Sequence, residues 1–372
     1  LHRPMTIMKG ADGVLLSIVI LLIVGGFFVF TSASLGLLAR EGASFSGVAF
    51  NQILFGIVGG TVAMFVMSHI FYRNWRQYAF YIFLFTILLT LAVFIPGVGL
   101  EHAGALRWIQ IGGFSFQPAE FLKIGFIIYV ATWLSGMQKH NATLWQGTFP
   151  FSVIVAIVGV VMLLQPDTDT FLIMAGAAAA MFITAGGRWR DVFILGFIAF
   201  MMVVALAFVR PYLMDRIVSF FDPSSDPLGS SYQVQQSLIA VGSGGLYGRG
   251  FGQSIQKFEY LPEPIGDSIF AVFAEEFGFI GSLILISLIS SFVFRGFRIA
   301  THAKDQFGML LVVGFITLIA IQSFLNIAAM VALAPMLGLP LPFISHGGTA
   351  LLATLASVGI ILNVSKYQKQ RI

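Results

Sequence analysis

The chain contains no cysteine and little charge. The first absence excludes a disulfide framework, a thiolate metal centre and a redox thiol. The second excludes a soluble fold: only 10% of the 372 residues are Asp, Glu, Lys or Arg, against about 25% in an ordinary soluble domain. No GK[ST] or G-x-G-x-x-G follows a strand pattern, so nothing supports a phosphate loop or ATP-driven transport. The six histidines are scattered without zinc spacing, and no nucleophile elbow is present. What the chain has instead is apolar surface: 58% hydrophobic residues, 14% aromatic, mean hydropathy +0.93.

Crossing a bilayer takes about 20 mostly apolar residues. Apolar runs fall near 13–31, 50–70, 79–96, 119–135, 149–164, 169–185, 192–209, 267–294, 307–330 and 347–365. The expected fold is therefore an all-α polytopic membrane protein with ten transmembrane helices, forming one membrane domain over 1–372. The first run, long enough to span, reads as a retained helix and not a signal peptide. With the N-terminus inside, the cytoplasmic segments hold 13 of the 20 Lys and Arg, which favours N-in, C-in. The basic pI near 9.4 then reflects topology and not nucleic-acid binding. The acids sort the opposite way: all but Asp12, Asp191 and Asp305 belong to the outer side. The chemistry is expected to face outward. The longest polar segment, about 210–266, is an extracytoplasmic loop between the seventh and eighth helices, and 230–241 reads as an amphipathic interfacial helix within it.

Ionisable groups at membrane depth are costly and are functional candidates by default. Four clusters qualify. Arg107 precedes "FQPAEFLK", in which Glu120 and Lys123 share a helix face and can pair; the plain alternative is a structural ion pair. "LQPDTDT" places Asp167 and Asp169 at a helix start, where capping accounts for one carboxylate but not two. In "YLPEPIGDSIFAVFAEE", Asp267 carries an N-cap signature and follows Glu263 by four residues; Glu275 and Glu276 point to different helix faces. In "LPLPFISHGGTALL", Ser345 and His346 sit on broken backbone that must be buried in protein or line a cavity; a lone histidine there is more often structural. The residues alone leave open an outward-facing enzyme on a lipid-linked substrate, a transporter, or a scaffold.

Taken in order, "GALRWIQIGGFSFQPAEFLK", "QPDTDT", "YQVQQSLIAVGSGGLYGRGFG", "YLPEPIGDSIFAVFAEEFGFIG" and "NIAAMVALAPMLGLPLPFISHGGTALL" resemble the SEDS family of bacterial cell-wall proteins (FtsW, RodA, SpoVE) over nearly the whole chain. "FFDPSSDPLGSSYQ" and "SFQP" are closer to the FtsW/SpoVE branch. The resemblance implies a peptidoglycan glycosyltransferase of the cytoplasmic membrane. It would polymerise lipid II, the undecaprenyl-diphosphate-linked disaccharide, beside a class B penicillin-binding protein transpeptidase. It also implies that Asp267 is the catalytic aspartate, and it maps the family's acid–base pair onto Glu120 and Lys123 and its QPD aspartate onto Asp167. Two positions depart from the family pattern: Ile265 stands where a histidine is usual, and Asp169 where a glycine is usual.

Glycosyl transfer requires a base for the acceptor hydroxyl and positive charge, from basic residues or a divalent cation (Mg²⁺ or Mn²⁺), for the departing diphosphate. Asp267 is the expected base. Arg107, Lys123, Arg210, Arg216, Arg249 and Lys257 are the outer-side cations, with Arg107 and Arg216 favoured. Glu120 and Asp167 are expected to orient Lys123 or a cation. A lipid II flippase or a non-catalytic scaffold are the competing expectations.

Overall fold

A computed structural model describes residues 10–36, 45–102, 105–111, 114–137, 147–209, 211–222, 229, 231–258 and 260–368. Arg210 lies outside them. The helices are α1 (Gly13–Ser34), α2 (Phe45–Phe50) continuing through a π-helical stretch (Asn51–Gly59) into α3 (Gly60–His69), α4 (Asn74–Leu91), α5 (Pro118–Gly136), α6 (Thr148–Leu164), α7 (Thr168–Thr184), α8 (Trp189–Val209), α9 (Pro211–Phe221), α10 (Tyr232–Ser243), α11 (Ile269–Thr301), α12 (Gln306–Met330) and α13 (Gly348–Ser365). Among the described residues eight helical spans are long and apolar enough to cross a bilayer; α6 and α7 are apolar but shorter, at 17 residues each. The chain is a multi-pass membrane protein.

α5, α12 and α13 form the centre of the bundle and are mostly buried, whereas α8 is largely exposed. α13 packs along α3, α4 along α5, and α12 against both α7 and α11. Exposed apolar side chains such as Phe65, Phe85 and Phe197 cover the outside, as expected where hydrocarbon and not water is the solvent.

One feature corrects the all-α expectation. Residues before α5 form a three-stranded antiparallel sheet, β1 (Gly99–His102), β2 (Ala105–Ile111) and β3 (Phe114–Phe116), with Leu100 opposite Trp108 and Ile109 opposite Phe116. Alternating branched and aromatic residues suit a pleated strand, and a window tuned to twenty-residue apolar runs passes over strands this short. The long loop contains α9 as well as the expected interfacial helix, which is α10.

α11 is broken at Gly278, whose φ of 66° and ψ of −163° are not helical. A helix broken at membrane depth must have its freed backbone groups satisfied by protein. The loop after α10 does this. Phe279 and Ile280 donate to the Gly245 and Leu246 carbonyls at 2.9 and 3.1 Å, while Arg249 and Gly250 donate to those of Glu275 and Glu276, both at 3.0 Å. The approach is so close that a Cβ on Gly278 would lie 2.3 Å from the Gly248 nitrogen.

Alanine at a regular helical glycine gains stability, by about 1 kcal/mol. At position 278 the sign reverses: Gly278→Ala is expected to lose roughly 1–3 kcal/mol from backbone strain, before any clash is counted. Thermal unfolding of the detergent-purified variant, followed by tryptophan fluorescence, should show a lowered midpoint. An unchanged or raised midpoint would refute the clasp.

Candidate active site

The loop that ends in Asp267 is held by its own carbonyls and by α12. Glu263 takes a positive φ of 45°, which turns its carbonyl to accept from Gly266 N–H at 3.0 Å and Ser268 N–H at 3.2 Å. Asn326 on α12 donates from Nδ2 to the Asp267 carbonyl at 2.7 Å and to that of Leu339 at 2.8 Å. The N-cap of α11 is Ser268. This corrects the capping expectation for Asp267: the tight turn on the Glu263 carbonyl moves the helix start one residue on and turns the Asp267 carboxylate toward the segment between α12 and α13.

There it meets charge from two other elements. Asp169, in the first turn of α7, accepts from Arg216 Nη1 on α9 at 2.7 Å and from the Gly338 N–H at 3.0 Å. A Cβ on Gly338 would lie 3.5 Å from Asp267 Oδ2, 3.7 Å from Arg216 Nη2 and 3.8 Å from Asp169 Oδ2, so the three groups converge on one backbone position. Asp167 caps α7, accepting from Thr170 N–H at 3.3 Å, and also accepts from Gln117 Nε2 at 3.4 Å. Arg107, on β2, donates to the carbonyls of Gln165 and Pro166 beside that cap.

The electrostatics follow. Burial, the charges of Glu263 and Asp169, and only partial relief from Arg216 and Arg107 push Asp267 up to about 7. Asp167 is also raised, by burial first and with Asp169 adding to it, against the attraction of Arg107. Among the described residues no group of three His, Asp or Glu side chains is placed to hold a metal ion. The nearest positive charges to Asp267 are guanidinium groups.

The remaining candidates support this site from behind. Lys123 and Glu120 pair at 2.7 Å, with side chains only 7% and 5% exposed. Lys123 Nζ also donates to Gln322 Oε1 at 3.3 Å, and Gln322 Nε2 donates to the Pro340 carbonyl at 2.8 Å. The pair therefore anchors the segment that carries Gly338, while Asp167 is occupied at the α7 cap and not at Lys123. Ser345 Oγ accepts from Leu341 N–H and donates to the Gly266 carbonyl at 2.8 Å. The His346 ring stacks on Phe30, and its backbone N–H donates to the Ile265 carbonyl at 2.7 Å; burial lowers its pKa, which favours a neutral ring. Ile265 itself, where a histidine would be usual, is buried and apolar.

Two expected diphosphate cations are occupied elsewhere. Arg249 lies 3.4 Å from Glu275, which also accepts from Ser254 Oγ and from the Ile255 and Gln256 N–H groups. Lys257, fully buried, donates to Glu276 at 2.8 Å, and Glu276 accepts from Ser32 Oγ on α1. Burying these charges is tolerable only because they are paired; they fasten the loop to the α11 break. Sequence reasoning missed Gln322 and Asn326, although their spacing of four on an apolar helix places both amides on one face.

A multi-pass membrane protein with carboxylates and arginines gathered where two broken segments meet is the class this fold defines. A family model described as "Cell cycle protein" (FtsW, RodA and SpoVE) matches residues 13–370, and the chain belongs to that family. It is 40% identical over 367 residues to stage V sporulation protein E of Bacillus subtilis, covering 98% of this chain and 100% of that one. It is 36% identical to a probable peptidoglycan glycosyltransferase FtsW of a Geobacter species, covering 96% and 97%. Among solved structures it superposes on a chain of a peptidoglycan synthase complex with a TM-score of 0.79 at 27% identity, covering 97% and 99%. On the Thermus thermophilus rod shape determining protein RodA the TM-score is 0.71 at 26% identity, covering 97% and 98%.

A carboxyl raised from 3.8 to about 7 in the folded protein holds its proton there while the unfolded chain has lost it. Its contribution to stability is complete below the unfolded value and is lost as pH rises through the folded one. Asp267→Asn removes that loss. The variant should melt above the parent at pH near 8, by a margin that shrinks toward pH near 5. Parallel melting curves for the two proteins across this range would contradict the assigned burial and charge.

Proposed function

We propose that the chain is a peptidoglycan glycosyltransferase that polymerises lipid II at the outer face of the bacterial cytoplasmic membrane. The reading takes all ten apolar helices as spans with both termini inside, which puts the Asp267 loop on the outer side. It is carried by one observation: Asp267 is held against Asp169, Arg216 and Gly338 with its proton affinity raised toward neutrality. The relatives named peptidoglycan glycosyltransferase support it, as does the likeness to a chain of a peptidoglycan synthase complex.

In this reading Asp267 takes the proton from the acceptor sugar hydroxyl as that oxygen attacks the anomeric carbon of the lipid-linked donor. The bond from the anomeric carbon to the diphosphate oxygen breaks, and undecaprenyl diphosphate leaves with the electron pair. Arg216 and Arg107 supply positive charge where the departing diphosphate develops negative charge, without any rearrangement of solvent. A base with a pKa near the working pH combines a useful ionised fraction with real proton affinity. The donor set near Asp267 does not fit a protein-held metal, so no step is assigned to one. Glu120, Lys123, Ser345 and His346 act by holding the two loops. A class B transpeptidase is the expected partner, since the likeness extends to a complex described as coordinating polymerisation and crosslinking.

Asp267→Asn should lower polymerisation of purified lipid II in detergent by about 10²- to 10⁴-fold, the usual contribution of a positioned base. Detergent has no membrane sides, so polymer made by the parent there separates this reading from a flippase. Full-length glycan from the Asn variant would remove Asp267 from the chemistry.

A further inference from the structure

The proposed chemistry uses Asp267 and the arginines but leaves Asp169 without a task. Its surroundings are specific. Its side chain is 6% exposed, and Oδ2 receives both Arg216 Nη1 at 2.7 Å and the Gly338 N–H at 3.0 Å. These three residues come from three separate elements: the first turn of α7, the middle of α9, and the irregular segment after α12. The capping need of α7 is already met by Asp167, so Asp169 is not required for the helix start.

α9 is an amphipathic helix of 11 residues. Leu213, Ile217 and Phe220 share a face with Arg216, while Val218 and Phe221 are exposed. The helix packs against the end of α8, itself the most exposed of the candidate spans. A helix on so exposed a support needs a polar anchor if its arginine is to stay in register with the site. The pair with Asp169 is such an anchor, because a buried carboxylate bonded to a half-buried guanidinium is far less screened than a surface pair.

We propose that Asp169 is a positioning residue for the transfer reaction: it holds Arg216, and with it α9, beside Asp267 so that the guanidinium faces the diphosphate of the incoming lipid-linked sugar. This rests on the reading of the site as a glycosyltransferase centre. It assigns Asp169 two separable effects. Mechanically, it fixes α9. Electrostatically, it is a negative charge facing Asp267 along with Glu263, while Arg216 and Arg107 face the same carboxyl with the opposite sign and Asp167 stands next to Asp169.

Hydrogen exchange measured by mass spectrometry on the detergent-purified full chain tests the first effect without reference to activity. Asp169→Asn should speed exchange of the amides in 211–221 by about tenfold, the equivalent of losing roughly 1.4 kcal/mol of anchoring. Asp169→Glu, which keeps the charge, should recover much of the protection. The second effect is read from lipid II polymerisation against pH. Arg216→Gln should move the rising limb to higher pH, and Asp169→Asn, which frees Arg216 but also removes one negative charge facing Asp267, should leave it at lower pH than Arg216→Gln does. The two substitutions should not multiply: the double variant should lose no more rate than the slower single, since Arg216 acts through the place Asp169 gives it.

Unchanged exchange in 211–221 in an Asn variant of an active parent would overturn the proposal, as would multiplicative losses in the double variant. If the parent makes no polymer while Asp169→Asn still loosens 211–221, the glycosyltransferase reading fails and the anchoring role stands.

Discussion

Backbone that leaves helical geometry inside a membrane has no water to satisfy it, and this constraint organises the rest of the molecule. Besides the break at Gly278, two irregular segments meet near one end of the bundle, 260–268 before α11 and 331–347 between α12 and α13. The two broken segments are stitched to each other by the Ser345 hydroxyl on the Gly266 carbonyl and the His346 N–H on the Ile265 carbonyl. Both are stitched to the bundle by amides that an apolar helix would otherwise not carry. Asn326 holds Asp267 and Leu339, Gln322 holds Pro340, and Gln52 accepts from Gly347 and donates to the Ser345 carbonyl. The geometry of the candidate site is a by-product of satisfying these groups.

The charges divide along the same line. Glu275 and Glu276 are spent on the loop that closes the Gly278 break, and Glu120 on Lys123. Each of these acids has a cation beside it, and Glu275 and Glu276 also accept several hydrogen bonds, so their burial is compensated. Asp267 is different. Its neighbours include two further acids, and the nearest guanidinium already bonds Asp169. A carboxyl in that position is a poor structural element, and its raised proton affinity is what the proposed base role requires. The contrast between these paired carboxylates and the only partly compensated Asp267 is what separates scaffold from proposed chemistry here.

Much of this was legible in the sequence because membrane burial writes a strong signal. The apolar runs and the Glu120–Lys123 pair follow from the cost of placing polar groups among apolar ones, whereas the weight on Asp267 comes from the family resemblance, its own pattern being that of a helix cap. The separation of Glu275 from Glu276 is legible too, since 100° per residue sends them to different partners. Other features left no comparable trace. The β1–β3 sheet is too short for a hydropathy window. Ser268, not Asp267, starts α11 because of a tertiary turn on Glu263. Arg249 and Lys257 looked like ligands for an anion, yet distance along the chain hid their pairing with Glu275 and Glu276. Asp169 was visible as a surplus carboxylate, but its partner on α9 is 47 residues away and only the fold brings them together.

The central claim is that the protein works through the ionised form of one carboxyl whose burial is only partly compensated. The most direct measurement is the initial rate of polymerisation of purified lipid II in detergent, taken from about pH 5.5 to about pH 8.5. The account predicts a rate that climbs with pH through a single ionisation near the value of about 7 to which Asp267 is raised. A rate that is flat or falls through that window would contradict it.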